Sequence, residues 1–312
     1  MDLTDIDPVN TLSHGLSWID LEFLGRSNII AAAIVQGPGG VAIVDPGPTT
    51  CLATLEQALQ AHGIRWDDVR HLMLTHIHLD HAGATGTIVR EHPHITVLVH
   101  ERGAKHLIDP SRLLDSATRL FGSDMNRLWG EFAAVPQTKI VALSGGERIE
   151  AGGRTFDVAY TPGHASHHVS YFDPSSGVAF VGDVAGVCAS DGYVLPPTPP
   201  PDIDLESWRV SADRILEWQP STLFLTHFGP VTRVRPHLAE LFDNLALNAA
   251  AVRESLNDSG TDEEKSERFA EWLRQGLRKT MTDAEVDAYV VAAGFKYQWF
   301  GLARYWRKRL GM

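Results

Sequence analysis

The sequence has little cysteine and lacks the features of exported or membrane-spanning proteins. Only two of its 312 residues are cysteines, Cys51 and Cys188, which excludes a disulfide framework and favours a reducing compartment. The start, MDLTDIDPVN, has acidic residues where a signal peptide has basic residues followed by an apolar run. No apolar run reaches the ~18 residues that suggest a membrane span. We therefore expect a cytoplasmic protein with no membrane partner.

Basic residues are also scarce relative to acidic ones. The chain has 27 Lys and Arg against 39 Asp and Glu, a formal net charge of −12. A nucleic-acid surface needs a concentration of basic side chains, so this balance argues against a nucleic-acid partner and favours a small-molecule substrate. Histidine, in contrast, is plentiful: there are fifteen, and most fall in short clusters.

Short apolar segments alternate with helical patterns over most of the chain. Predicted strands cover residues 29–45 (two strands joined by a Gly/Pro turn), 71–75, 95–99, 154–160, 168–172, 177–183 and 222–226. Predicted helices cover residues 49–63, 101–135 and 203–218. Beyond about residue 236 only helices are expected, two of them beginning at the capping-box sequences TDEE (261–264) and TDAE (282–285). Such a mixture is typical of an α/β layered fold.

The densest histidine cluster is THIHLDH, residues 75–81, directly after an apolar run. Side chains at positions i and i+2 of an extended segment point the same way, so His76 and His78 can bind one metal together. If a helix begins near Asp80 and His81, these two side chains can reach a second metal. Imidazole and carboxylate groups are good ligands for zinc, iron and manganese.

Three later segments place a metal-binding side chain at the end of an apolar strand. His164 follows a strand and a Pro-Gly turn, Asp183 ends FVGD, and His227 follows LFLT. Catalytic groups concentrate on loops that a rigid scaffold positions. We therefore take these three residues as further candidate ligands.

The ordered set THIHLDH, TPGH, VGD and LTH, with IVDPG (43–47) upstream, resembles the metallo-β-lactamase-fold hydrolases over about residues 20–235. It is most similar to the glyoxalase II and lactonase-like branches that have a bridging Asp. The resemblance implies an α/β (α+β) four-layer αββα sandwich. We divide the chain into a catalytic domain (1–235) with a helical insert near the pocket (101–135), and a helical C-terminal extension packed on it (236–312).

The resemblance also implies a role for each candidate residue. His76, His78 and His164 would hold one metal, and Asp80, His81 and His227 the other. Asp183 would bridge the two metals, and Asp45 would brace the ligand loops. The expected cofactor is two zinc ions per chain, with iron or manganese as alternatives. Asp80 is the expected catalytic proton acceptor.

The predicted activity is hydrolysis by a metal-bridging hydroxide. Esters, lactones and thioesters are the expected substrates of a promiscuous enzyme, with phosphodiesters and weak β-lactam hydrolysis as further activities. The alternative is a mononuclear-iron redox enzyme on the same fold, similar to persulfide dioxygenases. The seven candidate ligands favour hydrolysis.

Substrate contacts are predicted from residues near the expected pocket. Trp129 and Phe132 in the insert, and Tyr193 in the loop after Asp183, are candidate substrate-binding residues. His100 is a candidate pocket residue. Structural roles are favoured for His167, His168 and Cys188, with a position in the pocket wall as the alternative for one of the two histidines and for Cys188. The C-terminal segment 295–309 is interpreted as a homodimer contact, a pocket wall or a docked helix; a membrane-surface helix is less favoured because basic residues interrupt its apolar stripe.

Overall fold

The computed structural model describes residues 9–13, 15–190 and 192–312. The strands are β1 (Val9–Ser13), β2 (Leu16–Asp20), β3 (Ala31–Gly37), β4 (Gly40–Val44), β5 (Val69–Met73), β6 (Thr96–His100), β7 (Ile140–Leu143), β8 (Arg148–Ala151), β9 (Arg154–Tyr160), β10 (Val169–Asp173), β11 (Val178–Phe180), β12 (Thr222–Leu225) and β13 (Gly229–Val231). The α-helices are α1 (Leu52–Ala61), α2 (Leu79–Ala82), α3 (Thr85–Glu91), α4 (Glu101–Ile108), α5 (Ser111–Phe121), α6 (Met125–Leu128), α7 (Leu205–Glu217), α8 (Val234–Ser255), α9 (Asp262–Leu277), α10 (Asp283–Ala293) and α11 (Phe295–Leu310).

Within the described residues the strands form two mixed sheets. The first has seven strands in the order β1-β2-β3-β4-β5-β6-β7, and β4 to β7 run parallel. The second has six strands in the order β13-β12-β11-β10-β9-β8, with β11 and β12 parallel. In the first sheet, β3 and β4 are buried along almost their whole length, as expected for strands covered on both faces.

Three apolar layers hold the sheets and helices together. Side chains such as Val35, Met73 and Phe156 fill the space between the two sheets. Leu55, Ile88 and Leu107 lie in the layer between the first sheet and helices α1, α3 and α4. The layer outside the second sheet is formed by residues of that sheet, α7 and the C-terminal helices. The predicted αββα sandwich is therefore confirmed.

Helices α8 to α11 form the C-terminal helical region. Both predicted capping boxes are present: Thr261 and Glu264 cap α9, and Thr282 and Glu285 cap α10. Helix α11 packs on α8 and α9, with Trp299 and Leu302 fully buried. None of the helices in the described part of the chain is long and apolar enough to cross a membrane.

The carboxyl ends of five strands, two from the first sheet and three from the second, lie at one edge of the sandwich. Parallel neighbours β4 and β5 in one sheet, and β11 and β12 in the other, end on the same side. Strand β9 is antiparallel to β10, which is antiparallel to β11, so β9 also ends there. Loops that follow these strands therefore meet, although they are distant in the sequence.

Two helical glycines test how closely α11 is docked. A β-carbon on Gly301 would lie 2.0 Å from the carbonyl oxygen of Thr198, whereas one on Gly276 in α9 would have no neighbour within 4 Å. We expect Gly301→Ala to lower the free energy of unfolding by roughly 1–3 kcal/mol through overpacking. The matched change Gly276→Ala should raise it by about 0.5–1 kcal/mol, because alanine favours a helix.

Urea denaturation followed by circular dichroism measures both variants. Equal and favourable effects of the two substitutions would show that α11 does not pack against the loop at Thr198.

Candidate metal centre

The segment after β5 presents four metal-binding side chains to one point. Residues from Thr75 to His78 precede α2, and the backbone of His78 is still extended (φ −61°, ψ 155°). Helix α2 then begins at Leu79, which places Asp80 and His81 in its first turn. The change from strand-like to helical backbone explains how four close residues can serve two positions.

The second sheet supplies the other three residues. His164 follows β9, Asp183 follows β11, and His227 follows β12. His164 and His227 are 1% exposed, and Asp183 is 4% exposed. The sequence prediction that these strand ends converge on THIHLDH is therefore met in the structure.

The seven side chains form three overlapping groups whose donor atoms lie within 4.8 Å of one another: His76, His78 and His164; His76, His81 and Asp183; and Asp80, His81 and His227. Nδ1 of His78 lies 2.9 Å from Nε2 of His76 and 3.0 Å from Nε2 of His164. Nε2 of His81 lies 3.1 Å from Oδ1 of Asp183. Nε2 of His227 lies 3.3 Å from Oδ2 of Asp80. These separations are close to the ~3.3 Å between tetrahedral ligands whose metal bonds are about 2.0–2.1 Å long.

Several of these buried atoms have no hydrogen-bond partner. Among the described residues, Nε2 of His81, Nε2 of His227 and Oδ1 of Asp183 are buried and make no hydrogen bond. An unsatisfied buried polar atom is costly, and such atoms in a native protein call for an unseen ligand. Since the three atoms lie close together, the donor set fits bound metal ions.

The opposite nitrogen of three imidazole rings is held by a hydrogen bond. Nδ1 of His81 donates to Oδ2 of Asp45 at 2.8 Å, that of His164 donates to the carbonyl oxygen of Pro197 at 2.8 Å, and that of His227 donates to the carbonyl oxygen of Ile29 at 2.6 Å. With the proton of the neutral ring held at Nδ1, the Nε2 atom that is directed at the centre is the one available to bind a metal. The rings are therefore oriented before a metal binds.

Asp45 connects the two sheets at this point. Its Oδ2 accepts hydrogen bonds from the hydroxyl groups of Thr75 and Thr226 as well as from His81, and its Oδ1 accepts from the backbone N–H of Thr75. Thr75 follows β5 and Thr226 follows β12. The predicted bracing function of Asp45 thus has a physical basis in the geometry.

Charge and burial act in opposite directions on these groups. Burial lowers the pKa of His76 well below its usual value and that of His78 to about 4, so both rings are neutral. Burial would raise the pKa of the Asp183 carboxyl, but the adjacent histidines outweigh it and hold that pKa well below the usual range. Burial would likewise lower the pKa of His81 and of His227, but the adjacent carboxylates, Asp183 foremost, outweigh it and raise both. A metal that binds here therefore displaces protons from these two rings and meets an ionised Asp183.

A cavity of about 1520 Å³ opens onto the centre. Asp80, Asp183 and His78 lie in its floor, and its walls come from α4, α5, α6, the loop 197–202 and the helices α10 and α11. Segment 295–309 is thus both a docked helix and a pocket wall. Three residues of α11 line the cavity: Tyr297, Gln298 and Phe300.

Comparison with known proteins agrees with this geometry. The family model described as the metallo-beta-lactamase superfamily matches residues 27–227, which include all seven candidate ligands. The chain belongs to the metallo-beta-lactamase superfamily. It is a metal-dependent hydrolase of that superfamily.

Two curated relatives in the superfamily cover most of the chain. A metallo-beta-lactamase fold-containing protein, ST1585 of Sulfurisphaera tokodaii, is 29% identical over 69% of this chain and 80% of its own. The probable metallo-hydrolase YqjP of Bacillus subtilis is 25% identical over 72% of this chain and 75% of its own. A more distant similarity, 24% identity over 50% of this chain and 47% of the relative, links it to the hydroxyacylglutathione hydrolase of Legionella pneumophila.

Solved structures of superfamily members share the whole architecture. TTHA1429 of Thermus thermophilus superimposes with a TM-score of 0.71 over 96% of this chain and 95% of that chain, at 23% identity. The archaeal protein ST1585 superimposes with a TM-score of 0.64 over 92% and 98%, at 22% identity. At these identities the likeness establishes the fold.

The three residues expected to contact a substrate lie in different places. Trp129 lines the cavity, stacked on Phe23 with ring centroids 5.5 Å apart. Phe132 is buried in the core layer of the first sheet and is not among the cavity-lining residues described. Tyr193 packs in the core layer of the second sheet, 6.1 Å from the ring of Tyr289. The structure does not bring Tyr193 to the cavity, because its loop turns toward α10.

The structure also shows where the other pocket candidates lie, three histidines and Cys188. His100 caps α4 and stacks on Tyr160, away from the cavity. His167 lines the cavity, contrary to the structural function favoured for it; its spacing from His164 was the available signal. His168 is buried beneath the centre, where Nδ1 contacts the hydroxyl of Thr161 at 2.8 Å. Cys188 bonds to the His227 carbonyl through its backbone N–H and does not line the cavity described.

Replacing Asp45 tests the bracing role. In Asp45→Asn, the side-chain NH₂ group replaces a carboxylate oxygen that accepts hydrogen bonds. It cannot accept the hydrogen bond from His81, so the imidazole ring loses its fixed orientation. We expect metal affinity to fall roughly 10- to 100-fold, measured by competition with a chromophoric chelator.

Asp173→Asn provides a matched control. Asp173 is also a fully buried carboxylate with several hydrogen bonds, to Arg154, Ser175 and Ser176, but it lies outside the centre. This variant should lose stability and keep its metal affinity. Equal loss of metal in both variants would show that Asp45 acts only through stability.

Proposed function

We propose that this protein is a dinuclear zinc hydrolase that cleaves small ester-like substrates: esters, lactones or thioesters. The observation that supports it most directly is the seven-residue donor set, which forms three overlapping groups of potential ligands, more than one metal ion can use. A single metal would leave about half of these buried donors unsatisfied. The mononuclear-iron alternative is therefore less favoured by the same observation.

Zinc is the proposed metal because the donors are imidazole nitrogens and carboxylate oxygens without thiolate. This combination suits zinc in a hydrolytic site, and iron and manganese share it. When bound, two such ions would supply Lewis-acid activation of water and of the scissile carbonyl group. The overall change is addition of water to the acyl carbon and cleavage of its bond to the leaving oxygen or sulfur.

Asp80 is the proposed proton acceptor. Although burial favours its neutral form, the neighbouring His81 and His227 hold the pKa of its carboxyl at about 2, so it is ionised at neutral pH. One carboxylate oxygen faces His227, which leaves the other to accept a proton from the attacking water. Asp80 also lines the cavity, so a substrate lies within its reach.

The substrate class rests on the cavity and on the relatives. The cavity, about 1520 Å³ in volume, has room for a small-molecule substrate and is lined by many apolar side chains. One relative is named a hydroxyacylglutathione hydrolase, a thioester-cleaving enzyme by its name. On that basis we include thioesters among the proposed substrates of this chain. Esters and lactones are included because attack of water on their acyl carbon cleaves them in the same way.

Metal analysis with a substrate panel tests the proposal. We expect about two zinc ions per chain and chelator-sensitive hydrolysis of a p-nitrophenyl ester, a homoserine lactone or a lactoylglutathione thioester. A phosphodiester and a β-lactam should be cleaved more slowly.

One iron per chain, with oxygen consumption in the presence of a persulfide and no hydrolysis, would contradict the hydrolase proposal. A fully metallated protein inactive on all five substrates would also count against it, and would direct attention to a binding function.

Asp183→Asn tests the bridging position. An amide cannot supply two anionic oxygens to two metals, so one metal should be lost or weakened. Turnover should fall by roughly a hundredfold or more, because even changes to residues that only support metal ligands cost about 10- to 100-fold in affinity or activity. Two retained metals with unchanged turnover would refute the bridging function.

A further inference from the structure

The cavity carries an excess of positive charge that the acidic composition of the chain does not suggest. Six basic side chains line it: Arg26, Arg102, Lys105, Arg112, Arg119 and Arg127. Of the acidic residues that line it, Asp80 and Asp183 belong to the metal centre, Asp124 pairs with Arg127 at 3.0 Å, and Asp202 accepts a hydrogen bond from Ser166. Glu263 is the remaining acid among the described lining residues.

Three of these basic residues form a cationic cluster, which we define as Arg102, Lys105 and Arg112. They lie on α4 and at the start of α5 around His106, whose pKa is lowered by burial and by the charges of Lys105 and Arg112. All three side chains are exposed. Within the described residues, no carboxylate lies within 4.0 Å of their charged nitrogens.

The cationic cluster is adjacent to the metal centre. A β-carbon on Gly103 would lie 2.9 Å from Cγ2 of Ile77 and 3.5 Å from Cβ of His167, so α4 packs between the two ligand segments. The guanidinium of Arg102 lies 5.4 Å from the ring of Tyr160, whose hydroxyl donates to the carbonyl oxygen of Ser166 at 3.0 Å. Helix α4 thus presents basic side chains beside the loop that carries His164.

Another part of the same cavity is aromatic. Phe23 stacks on Trp129, Trp129 meets the edge of Phe121 at 5.1 Å, and Phe121 meets Tyr297 at 5.1 Å. These four residues, which we call the aromatic cluster, all line the cavity. They come from the connection between β2 and β3, the insert and α11, so the surface exists only in the assembled fold.

We propose that the substrate is an anionic amphiphile: an ester or thioester with an anionic group on one side of the scissile bond and an apolar group on the other. Arg102, Lys105 and Arg112 bind the anion (a carboxylate, sulfonate or phosphate), and the aromatic cluster binds the apolar group. This inference rests on the proposed hydrolase function and specifies its substrate class. Guanidinium and ammonium groups that form no close ion pair with a described carboxylate, beside an active site, are suited to binding such anions.

Two substrate pairs distinguish the side on which the anion lies. Mono-p-nitrophenyl suberate and p-nitrophenyl octanoate differ by a carboxylate at the end of the acyl chain. 4-Sulfophenyl octanoate and phenyl octanoate differ by an anion on the leaving group. Each rate with the zinc-loaded protein is divided by the rate of hydroxide-catalysed hydrolysis, which corrects for intrinsic reactivity.

We expect kcat/KM to be about tenfold higher for the anionic member of at least one pair at low ionic strength. The attraction between the substrate anion and each of the three exposed basic side chains contributes only modestly. At 0.5 M salt the preference should decrease because exposed charges are screened. The variant Arg102→Gln/Lys105→Gln/Arg112→Gln should abolish the preference. The control Arg70→Gln/Lys279→Gln/Lys308→Gln loses the same charge from exposed positions outside the cavity lining and should retain it.

Direct binding provides a readout without turnover. Octanesulfonate, titrated calorimetrically into the zinc-loaded protein, should bind the cationic-cluster variant about tenfold more weakly than the wild type and the control. Hydrolysis of both members of each pair at equal rates, with equal octanesulfonate binding in all proteins, overturns this inference and leaves the hydrolase function standing. Absence of all hydrolysis with intact, cluster-dependent binding instead contradicts the hydrolase function.

Discussion

The hydrogen bonds of one buried carboxylate, that of Asp45, hold the rest of the site together. Asp45 follows a strand of the first sheet and accepts from Thr75, His81 and Thr226, and Thr226 belongs to the second sheet. A buried charge is tolerated only when its hydrogen bonds are satisfied. The two sheets must therefore meet in one register here, and that register brings the ligands of both sheets together.

The same constraint extends to the imidazole rings. His164 and His227 are held by backbone carbonyl groups of Pro197 and Ile29, which lie far from them in the sequence. Backbone acceptors of a packed scaffold move little, so the ring nitrogens that face the centre are positioned in advance. Preorganisation of this kind reduces the cost of collecting several ligands around a metal.

The C-terminal helices complete the cavity rather than the metal centre. Gln298 contacts the loop at Thr198, adjacent to the carbonyl that holds His164, and Tyr297 and Phe300 face the cavity. The insert on one side and the extension on the other thus add cavity walls to the superfamily scaffold. The metal centre therefore comes from the shared fold and the cavity walls from peripheral segments, in agreement with the general rule that one fold supports many activities.

Local patterns in the sequence are sufficient to predict the candidate ligands and the main elements. The i, i+2 spacing of His76 and His78, the strand-end positions of His164, Asp183 and His227, and the capping boxes of α9 and α10 are all local. The folded chain adds three features that no local pattern predicts: Tyr193 packs against α10, His167 and Tyr297 face the cavity, and three basic side chains (Arg102, Lys105 and Arg112) gather in an acidic protein. Those outcomes depend on packing between segments distant in the chain, and no periodicity within one segment records which partner it will meet.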